Sequence, residues 1–352
     1  MQYKFDDMDI YMVGNKYSNE SSKEILQYAV GALLYMPANN TKIADKIISG
    51  EYSFIHSMVL DLEDSLGNDM VGFGQRNICK ILNTIDAAVK SGTFAKENVP
   101  LIFVRIREHG QMQALLTATK ENIKYITGFN IPKFDKNCCD KYISEFIDVK
   151  TEAYNKYKAV LYIMPIIENK LAMYRQLRMD NLLYMNDALR RISNNVLNIR
   201  VGGADFCSIF GIRRSIDEDI HDIGVVRSVF ADIVNVFGKN YVVSGPVWEY
   251  FGKAGENCAW ERGLKSELKS DRLNGFIGKT AIHPTQVNII NSSLVVHKQD
   301  YLDAIDVLGM NDNVIGVKKS TGQDSRMNEV KTHRNWARKT VSLANIYGVR
   351  ED

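Results

Sequence analysis

Three carboxylates follow a buried-strand pattern near residue 60. The stretch MVLDLEDSL begins with apolar residues and then places Asp61, Glu63 and Asp64 within four positions. Carboxylates grouped in this way bind arginine side chains, water molecules or a divalent cation. In α/β barrels the catalytic groups lie at the carboxyl ends of the strands. The cluster therefore indicates a functional site at the end of a strand.

Ionisable side chains recur near the ends of further apolar runs. They are Arg105 and Arg107 in PLIFVRIR, Lys133 in ITGFNIPK, Glu168 in AVLYIMPIIE, Asp205 in NIRVGGAD and His283 in GFIGKTAIHP. Charges scattered over a surface would not line up with successive strand ends. If these runs are strands of one sheet, their polar ends share a rim, and the pattern favours an active site there.

Glu168 and Asp205 are the candidate metal ligands. Each ends a predicted strand, the two strands are neighbours, and Mg2+ is usually held by one or two carboxylates together with water and substrate oxygens. The alternative for Glu168 is a cap on the following helix. For Asp205 it is a hydrogen bond to loop amides.

Two arginines are candidates for binding a substrate carboxylate, since the guanidinium fork matches its geometry. Arg105 lies inside an apolar strand, where an unpaired charge is costly, so it requires a partner such as Glu63 or a substrate. Arg76 fits the same role or is a surface helix arginine. His283 is a general base, a supporting hydrogen-bond donor or, as a lone histidine, a structural residue. The pair Arg213 and Arg214 meets either a phosphate or solvent.

The elements that would position these groups repeat along the chain. Eight short apolar runs alternate with longer amphipathic segments; the runs cover residues 30–37, 56–64, 100–107, 126–133, 159–168, 198–205, 240–246 and 275–284. Continuous apolar runs are typical of parallel strands buried on both faces. Eight such units predict an α/β fold, a (β/α)8 barrel, over a doubly wound open sheet. Helices are predicted at 137–157, 169–192 and 215–238.

Two segments flank the predicted barrel. A leading helix is expected at 21–28, and we assign residues 1–296 to the barrel domain. Residues 297–352 form a C-terminal helical extension, with a polar loop and a helix within 316–348. The extension either covers the barrel mouth or is a surface helix.

Composition excludes several classes of protein. The 352 residues carry 44 Lys plus Arg and 42 Asp plus Glu, a net charge of +2, which argues against a nucleic-acid or membrane-surface binder. The five cysteines show no metal-finger spacing and indicate reduced thiols. No signal peptide or transmembrane run is recognisable. We therefore expect a cytoplasmic protein.

Ordered motifs resemble the HpcH/HpaI aldolase and citrate lyase β-subunit superfamily. The matching segments are LLYMPANN, VLDLEDSL with the downstream Arg76, FVRIR, NIPKF, PIIEN, VGGADF and GKTAIHPTQV. The segments SRMNEVKTHRNWARKT and VSGPVWEYF resemble a branch of C–C bond lyases associated with tellurite-resistance-type biosynthetic gene clusters.

This resemblance implies Mg2+-dependent cleavage or formation of a carbon–carbon bond next to a carboxylate, through an enolate that the metal stabilises. It implies Glu168 and Asp205 as metal ligands. Arg105, Glu63 and Asp64 are the implied catalytic groups. The implied substrate-binding residues are Arg76, Arg105, Lys133 and His283. The substrate would be a small carboxylate or its acyl-CoA thioester, and the protein a homo-oligomer, a trimer or hexamer by analogy.

The sequence departs from the family pattern at two places. Ser244 stands where many relatives have an Asp, and the lid Asp of relatives is matched only loosely by Asp324 or Glu329. No adenine or pantetheine signature is recognisable. Two alternatives stay open: a 2-keto acid aldolase that does not use CoA, and a barrel without catalysis that serves as a binding or assembly subunit.

Overall fold

The structure is a computed structural model that describes residues 1–5, 7–253, 258–310, 316–320 and 326–351. These described residues divide into two compact units, one of residues 18–290 and one of residues 1–17 with 291–352.

The strands and helices of the described residues are numbered in chain order. The strands are β1 (Ile10–Met12), β2 (Ala32–Pro37), β3 (Ser57–Asp61), β4 (Leu101–Arg105), β5 (Ile126–Ile131), β6 (Tyr162–Ile167), β7 (Asn198–Val201), β8 (Val242–Ser244), β9 (Lys279–Ala281), β10 (Val296–His297), β11 (Val317–Lys319), β12 (Met327–Glu329) and β13 (Val349–Arg350). The helices are α1 (Lys23–Ala29), α2 (Ile43–Ile48), α3 (Val71–Lys90), α4 (Gln111–Thr119), α5 (Cys139–Tyr157), α6 (Lys170–Met173), α7 (Arg175–Arg190), α8 (Gly203–Ile209), α9 (Gly224–Phe237), α10 (Ala259–Leu273), α11 (Pro284–Ser292), α12 (Lys298–Gly309) and α13 (Val330–Tyr347).

The larger unit is an eight-stranded parallel barrel within the described residues. Its strands lie in the order β8-β7-β6-β5-β4-β3-β2-β9. A parallel bridge between Gly245 and Lys279 brings the two ends of that order together. Each strand falls within one of the eight apolar runs, so the predicted (β/α)8 barrel is confirmed.

Alternation along the strands separates the core from the site. In β2, Leu34 and Met36 belong to the apolar core, whereas Tyr35 between them lines a cavity. In β4, Val104 belongs to the core and Arg105 lines the cavity. Side chains of successive strand residues point to opposite faces, so one face of each strand packs on helices and the other lies inside the barrel.

Helix boundaries differ from the predicted ones. The helix predicted at 169–192 is two helices, α6 and α7, because Tyr174 has an extended backbone (φ −75°, ψ 117°). The helix predicted from residue 215 begins only at Gly224, after a short 3-10 turn at Ile220–Asp222. The leading helix is α1, at Lys23–Ala29.

In the smaller unit, a strand near the start of the chain pairs with a strand near its end. Strand β13 pairs antiparallel with β1 and parallel with β10, and β11 pairs antiparallel with β12, which precedes α13. The sequence predicts residues 1–17 as part of the barrel domain and a domain boundary at 296/297. The contacts group residues 1–17 with the C-terminal segment because of this pairing. Asp324 lies outside the described residues; Glu329 ends β12.

Candidate functional site

A cavity of about 450 Å³ lies where the barrel strands end. Its lining includes Tyr35, Asp61, Arg105, Glu168, Asp205 and Thr280. Five of the eight barrel strands contribute these residues directly or at the position after the strand, and Asp205 lies in the first turn of α8, after β7. The predicted rim of polar strand ends is therefore a physical cavity.

Arg105 is the centre of a group of carboxylates. Its Nε donates to Asp61 Oδ1 (2.6 Å) and its Nη2 to Asp61 Oδ2 (2.7 Å). Its Nη1 lies 3.0 Å from Glu63 Oε2 and 3.1 Å from Asp64 Oδ2. Burial alone would lower the pKa of Arg105, but the hydrogen bonds and charge of Asp61 outweigh burial and raise it. Arg105 is thus fixed as a cation.

Backbone amides of the acidic turn after β3 also bind the Asp61 carboxylate. Asp61 Oδ1 accepts from the amide of Glu63 (3.0 Å), and Asp61 Oδ2 accepts from the amide of Ser65 (3.2 Å). The sequence predicts a partner such as Glu63 for Arg105. In the structure Glu63 and Asp64 do contact Arg105, but Asp61 makes its two-point ion pair.

Lys133 links this turn to the next carboxylate. Its Nζ forms an ion pair with Glu63 and lies 3.6 Å from Asp64 Oδ1, while its backbone amide donates to Glu168 Oε1 (2.8 Å). The backbone of Lys133 is left-handed (φ 49°), a conformation that non-glycine residues seldom adopt. The unusual conformation lets one residue contact both Glu63 and Glu168.

Glu168 and Asp205 face the same small space beside Gly202. A Cβ placed on Gly202 would lie 2.6 Å from Glu168 Oε2 and 3.1 Å from Asp205 Oδ2. Burial, and then the charge of Asp205, raise the pKa of Glu168 to about 8. Burial, and then the charge of Asp64, raise the pKa of Asp205. The raised pKa values mean that negative charge on both carboxylates is unfavourable at this wall without a compensating cation.

Not every predicted residue reaches the cavity. Arg76 is exposed on α3 and is absent from the described lining. His283 is also absent from that lining; its ring stacks on Phe251 with centroids 4.6 Å apart, and its Nδ1 bonds Thr285 Oγ1 (2.9 Å). These contacts favour the structural interpretation of His283.

Arg214 has a different role from either of those considered for it. Arg213 is exposed, but Arg214 is buried, forms an ion pair with Glu267, and donates from Nη2 to the carbonyl of Val247 (2.6 Å). Lys279 Nζ continues the network, 2.8 Å from Glu267 Oε1 and 2.7 Å from Asp271 Oδ2. The buried guanidinium of Arg214 is therefore bound by groups of the protein itself.

Further polar residues, not predicted from the sequence, lie deeper in the barrel. Tyr35 lies under Arg105, whose guanidinium carbon is 5.2 Å from the ring centroid, and its hydroxyl accepts from Asn130 Nδ2 (2.7 Å). Arg200, in β7, is fully buried. The signal was present for Arg200, because it is a charge inside an apolar strand, which is the same reasoning that identified Arg105.

The sequence matches the family described as C–C bond lyase of the TIM-barrel fold over residues 24–349. No curated protein matches the chain. Within the described residues, no group of three or more His, Cys, Asp or Glu side chains has the arrangement of a metal site. No described helix combines the length and the apolar character that crossing a bilayer requires.

Solved structures that share the fold include two magnesium complexes. CitE from Mycobacterium tuberculosis, in complex with magnesium, acetoacetate and coenzyme A, has a TM-score of 0.58 at 16% identity, covering 90% of this chain and 99% of that one. Malate synthase from Haloferax volcanii, in a magnesium/glyoxylate complex, has a TM-score of 0.55 at 18% identity, covering 74% of each chain. At these identities the likeness shows the fold alone.

Proposed function

Because the chain belongs to the C–C bond lyase family of the TIM-barrel fold, we propose that it is a Mg2+-dependent lyase acting on a small carboxylate or its acyl-CoA thioester. The observation that carries the proposal is the placement of Glu168 and Asp205 on one wall of the cavity at the strand ends. The solved relatives of the same fold are complexes with magnesium and small carboxylates or keto acids, which supports the proposal.

The donor set of this wall fits Mg2+. Glu168 and Asp205 are hard oxygen donors, and Mg2+ commonly takes one or two carboxylates while water and substrate oxygens complete its coordination. The raised pKa of Glu168 reflects burial and the charge of Asp205, and the raised pKa of Asp205 reflects burial and the charge of Asp64. A divalent cation would relieve this repulsion. The two carboxylates would hold the ion, which would act as a Lewis acid on the oxygen of the reacting carbonyl.

Neighbouring side chains hold the cavity wall that carries Glu168 and Asp205 in position. Lys133 donates its amide to Glu168 and holds Glu63 through its ammonium group. Arg105 binds Glu63 and Asp64 and so offsets their negative charge at the rim of the cavity. We propose that Arg105, Glu63 and Asp64 act on the substrate or on water at this rim, and that Lys133 supports substrate binding. The position of Arg76 and the contacts of His283 give no support to their proposed substrate contacts.

The cavity favours a small substrate. Its volume of about 450 Å³ lies toward the lower end of the roughly 300–1,000 Å³ common for small-molecule sites. An acid of a few carbons fits this volume, and the nucleotide part of a CoA thioester would extend beyond it. Use of CoA, the trimer or hexamer, and the tellurite-type gene association stay predictions.

The test measures both directions of carbon–carbon chemistry with the full chain. Malyl-CoA and citryl-CoA are supplied for cleavage, with the released glyoxylate or oxaloacetate as the readout. Acetyl-CoA with glyoxylate or oxaloacetate is supplied for condensation, with consumption of the keto acid as the readout. A 4-hydroxy-2-keto acid, with pyruvate as the readout, tests the aldolase that does not use CoA. Each assay is run with Mg2+ and with EDTA.

We expect turnover that requires Mg2+ and is lost in Glu168→Gln. The control Asp180→Asn, which changes an exposed carboxylate on α7, should retain parental turnover. Turnover that persists in EDTA, or at the parental rate in Glu168→Gln, would contradict the metal-dependent mechanism. Turnover of none of these substrates would favour the barrel without catalysis.

A further inference from the structure

Arg200 is a buried cation that lacks an anionic partner. Its residue is 1% exposed, and its neighbours in the strand ladders are Ile166 and Ser244, which are uncharged. Its Nη2 donates to Thr280 Oγ1 (2.7 Å), but its Nε and Nη1 have no hydrogen-bond partner among the described residues. Burying a guanidinium without a compensating anion costs several kcal/mol.

The other buried arginines are all compensated. Arg105 binds three carboxylates, Arg178 Nη1 lies 2.7 Å from Asp232 Oδ2, and Arg214 pairs with Glu267. Of the buried arginines in the described part of the chain, Arg200 alone makes no ion pair. Burial lowers the pKa of Arg200, and the charge and hydrogen bonding of the nearby Tyr35 phenol oppose that effect. The fold therefore keeps an uncompensated positive charge in its interior.

This charge lies beside the inner end of the cavity. Thr280, which accepts from Arg200, lines the cavity, as do Tyr35 and the residue that follows Arg200, Val201. Arg200 precedes the metal-wall residues Gly202 and Asp205 along the chain, so it lies deeper in the barrel than they do. Asn130, whose amide nitrogen bonds Tyr35, has a buried Oδ1 that also lacks a partner. Arg200 and Asn130 are not among the lining residues, so unfilled donors and an unfilled acceptor lie directly behind the wall at the inner end of the cavity.

We propose that Arg200 binds a carboxylate group of the substrate at the inner end of the cavity. The inference deepens the proposed function and rests on the cavity being its site. It also changes the role expected for Arg105, whose Nε, Nη1 and Nη2 all bond to carboxylates of the protein. Apart from its interaction with the neutral Tyr35 phenol, Arg200 makes no bond from Nε or Nη1 within hydrogen-bonding distance and angle, and a carboxylate accepts two N–H bonds from one guanidinium.

The test is a calorimetric titration of the Mg2+-loaded full chain with pyruvate and with pyruvamide, which has the same shape without the negative charge. We expect the parent to bind pyruvate about 10-fold or more tightly than pyruvamide, the size of one charged hydrogen-bonded contact. Arg200→Gln should lose this discrimination and bind Mg2+ as the parent does. Arg200→Lys, which keeps the charge, should retain part of it. The control Arg178→Gln, at a buried arginine on α7, should discriminate as the parent does.

Urea unfolding supplies a readout that does not depend on a ligand. Arg200→Gln should be at least as stable as the parent, because an unpaired buried charge is removed, whereas Arg178→Gln should be less stable. Three outcomes would each overturn the inference. In the first, Arg200→Gln discriminates between pyruvate and pyruvamide as the parent does; in the second, Arg200→Gln is less stable than the parent but still binds pyruvate as the parent does. In the third, the parent does not bind pyruvate. Normal pyruvate discrimination without any carbon–carbon turnover would overturn the proposed function and leave this inference standing.

Discussion

Arg105 and Asp61 form a two-point ion pair inside the barrel, with Nε–Oδ1 and Nη2–Oδ2 distances of 2.6 and 2.7 Å. The two residues are direct partners in the β3–β4 ladder, so the register of the sheet fixes the pair. Asp61 is 1% exposed, and its carboxylate also accepts from two backbone amides of the acidic turn. The pair therefore ties the arginine to the loop that carries Glu63 and Asp64.

Asp61→Asn should destabilise the fold strongly. The substitution leaves the buried Arg105 with a weakened partner, and breaking a buried pair from one side costs about 3–5 kcal/mol of unfolding free energy. Asp64→Asn removes a second partner of the same arginine, but the Asp64 side chain is 54% exposed, so we expect a cost of about 1 kcal/mol or less. Urea unfolding of both variants measures the difference. Equal costs would contradict the central place given to Asp61.

The same pair predicts a pH dependence. Burial alone would raise the pKa of Asp61, but the hydrogen bonds and charge of Arg105 outweigh burial and lower it. A lowered folded-state pKa gives stability that is fully present above the unfolded value, about 3.9, and is lost as the pH falls through the lower folded-state value.

The stability difference between the parent and Asp61→Asn should therefore be constant from about pH 5 to 7 and shrink below about pH 4. Urea midpoints measured across this range test the expectation, and taking the difference cancels carboxylates common to both proteins. A difference that stays constant down to about pH 2.5 would show that Asp61 does not titrate with a lowered pKa.

Glu168→Gln and Asp205→Asn should each abolish Mg2+ binding while the fold stays intact. Each change removes one of the two carboxylates at the proposed metal wall, and an amide oxygen is a weaker ligand for a hard cation. Calorimetric titration with MgCl2 measures affinity, and circular dichroism checks the fold. Asp180→Asn is the control at an exposed site. A variant that binds Mg2+ as the parent does would remove its residue from the ligand set.

Gly202→Ala should impair the metal wall through crowding alone. Its backbone (φ −94°) accepts alanine, but the new Cβ would lie 2.3 Å from Glu168 Cβ and 2.6 Å from Glu168 Oε2, so the carboxylate must move. We expect Mg2+ affinity about 10-fold or more below that of the parent, a coupling of about 1.4 kcal/mol. Gly67→Ala is the matched control, because nothing lies within 4 Å of its Cβ position. Equal affinities in the two variants would contradict the close packing at Gly202.

The strands were predictable from sequence because parallel strands buried on both faces are continuous apolar runs. The polar residues at the strand ends were predictable because each one follows or interrupts such an apolar run. Which of those residues meet was not, because it depends on register and on how far each loop extends. Asp61 faces Arg105 through the ladder, whereas Arg76 lies on the exposed side of α3. The helix start at Gly224 was missed because the preceding polar residues resemble a helix N-terminus.

Arg213 and Arg214 are neighbouring arginines, one exposed and one buried, so substituting each in turn tests how much the buried ion pair stabilises the fold. Arg214 pairs with Glu267, and its guanidinium carbon lies 4.7 Å from the centroid of the Trp248 ring. Arg214→Met leaves Glu267 partly uncompensated in the interior, although Lys279 stays 2.8 Å away, so we expect a loss of about 3 kcal/mol in unfolding free energy. Arg213→Met, at an exposed position, should change it by no more than about 0.5 kcal/mol. Urea unfolding compares the two variants. Similar stabilities would mean that the buried network around Glu267 tolerates loss of its arginine and that the barrel does not depend on this ion pair.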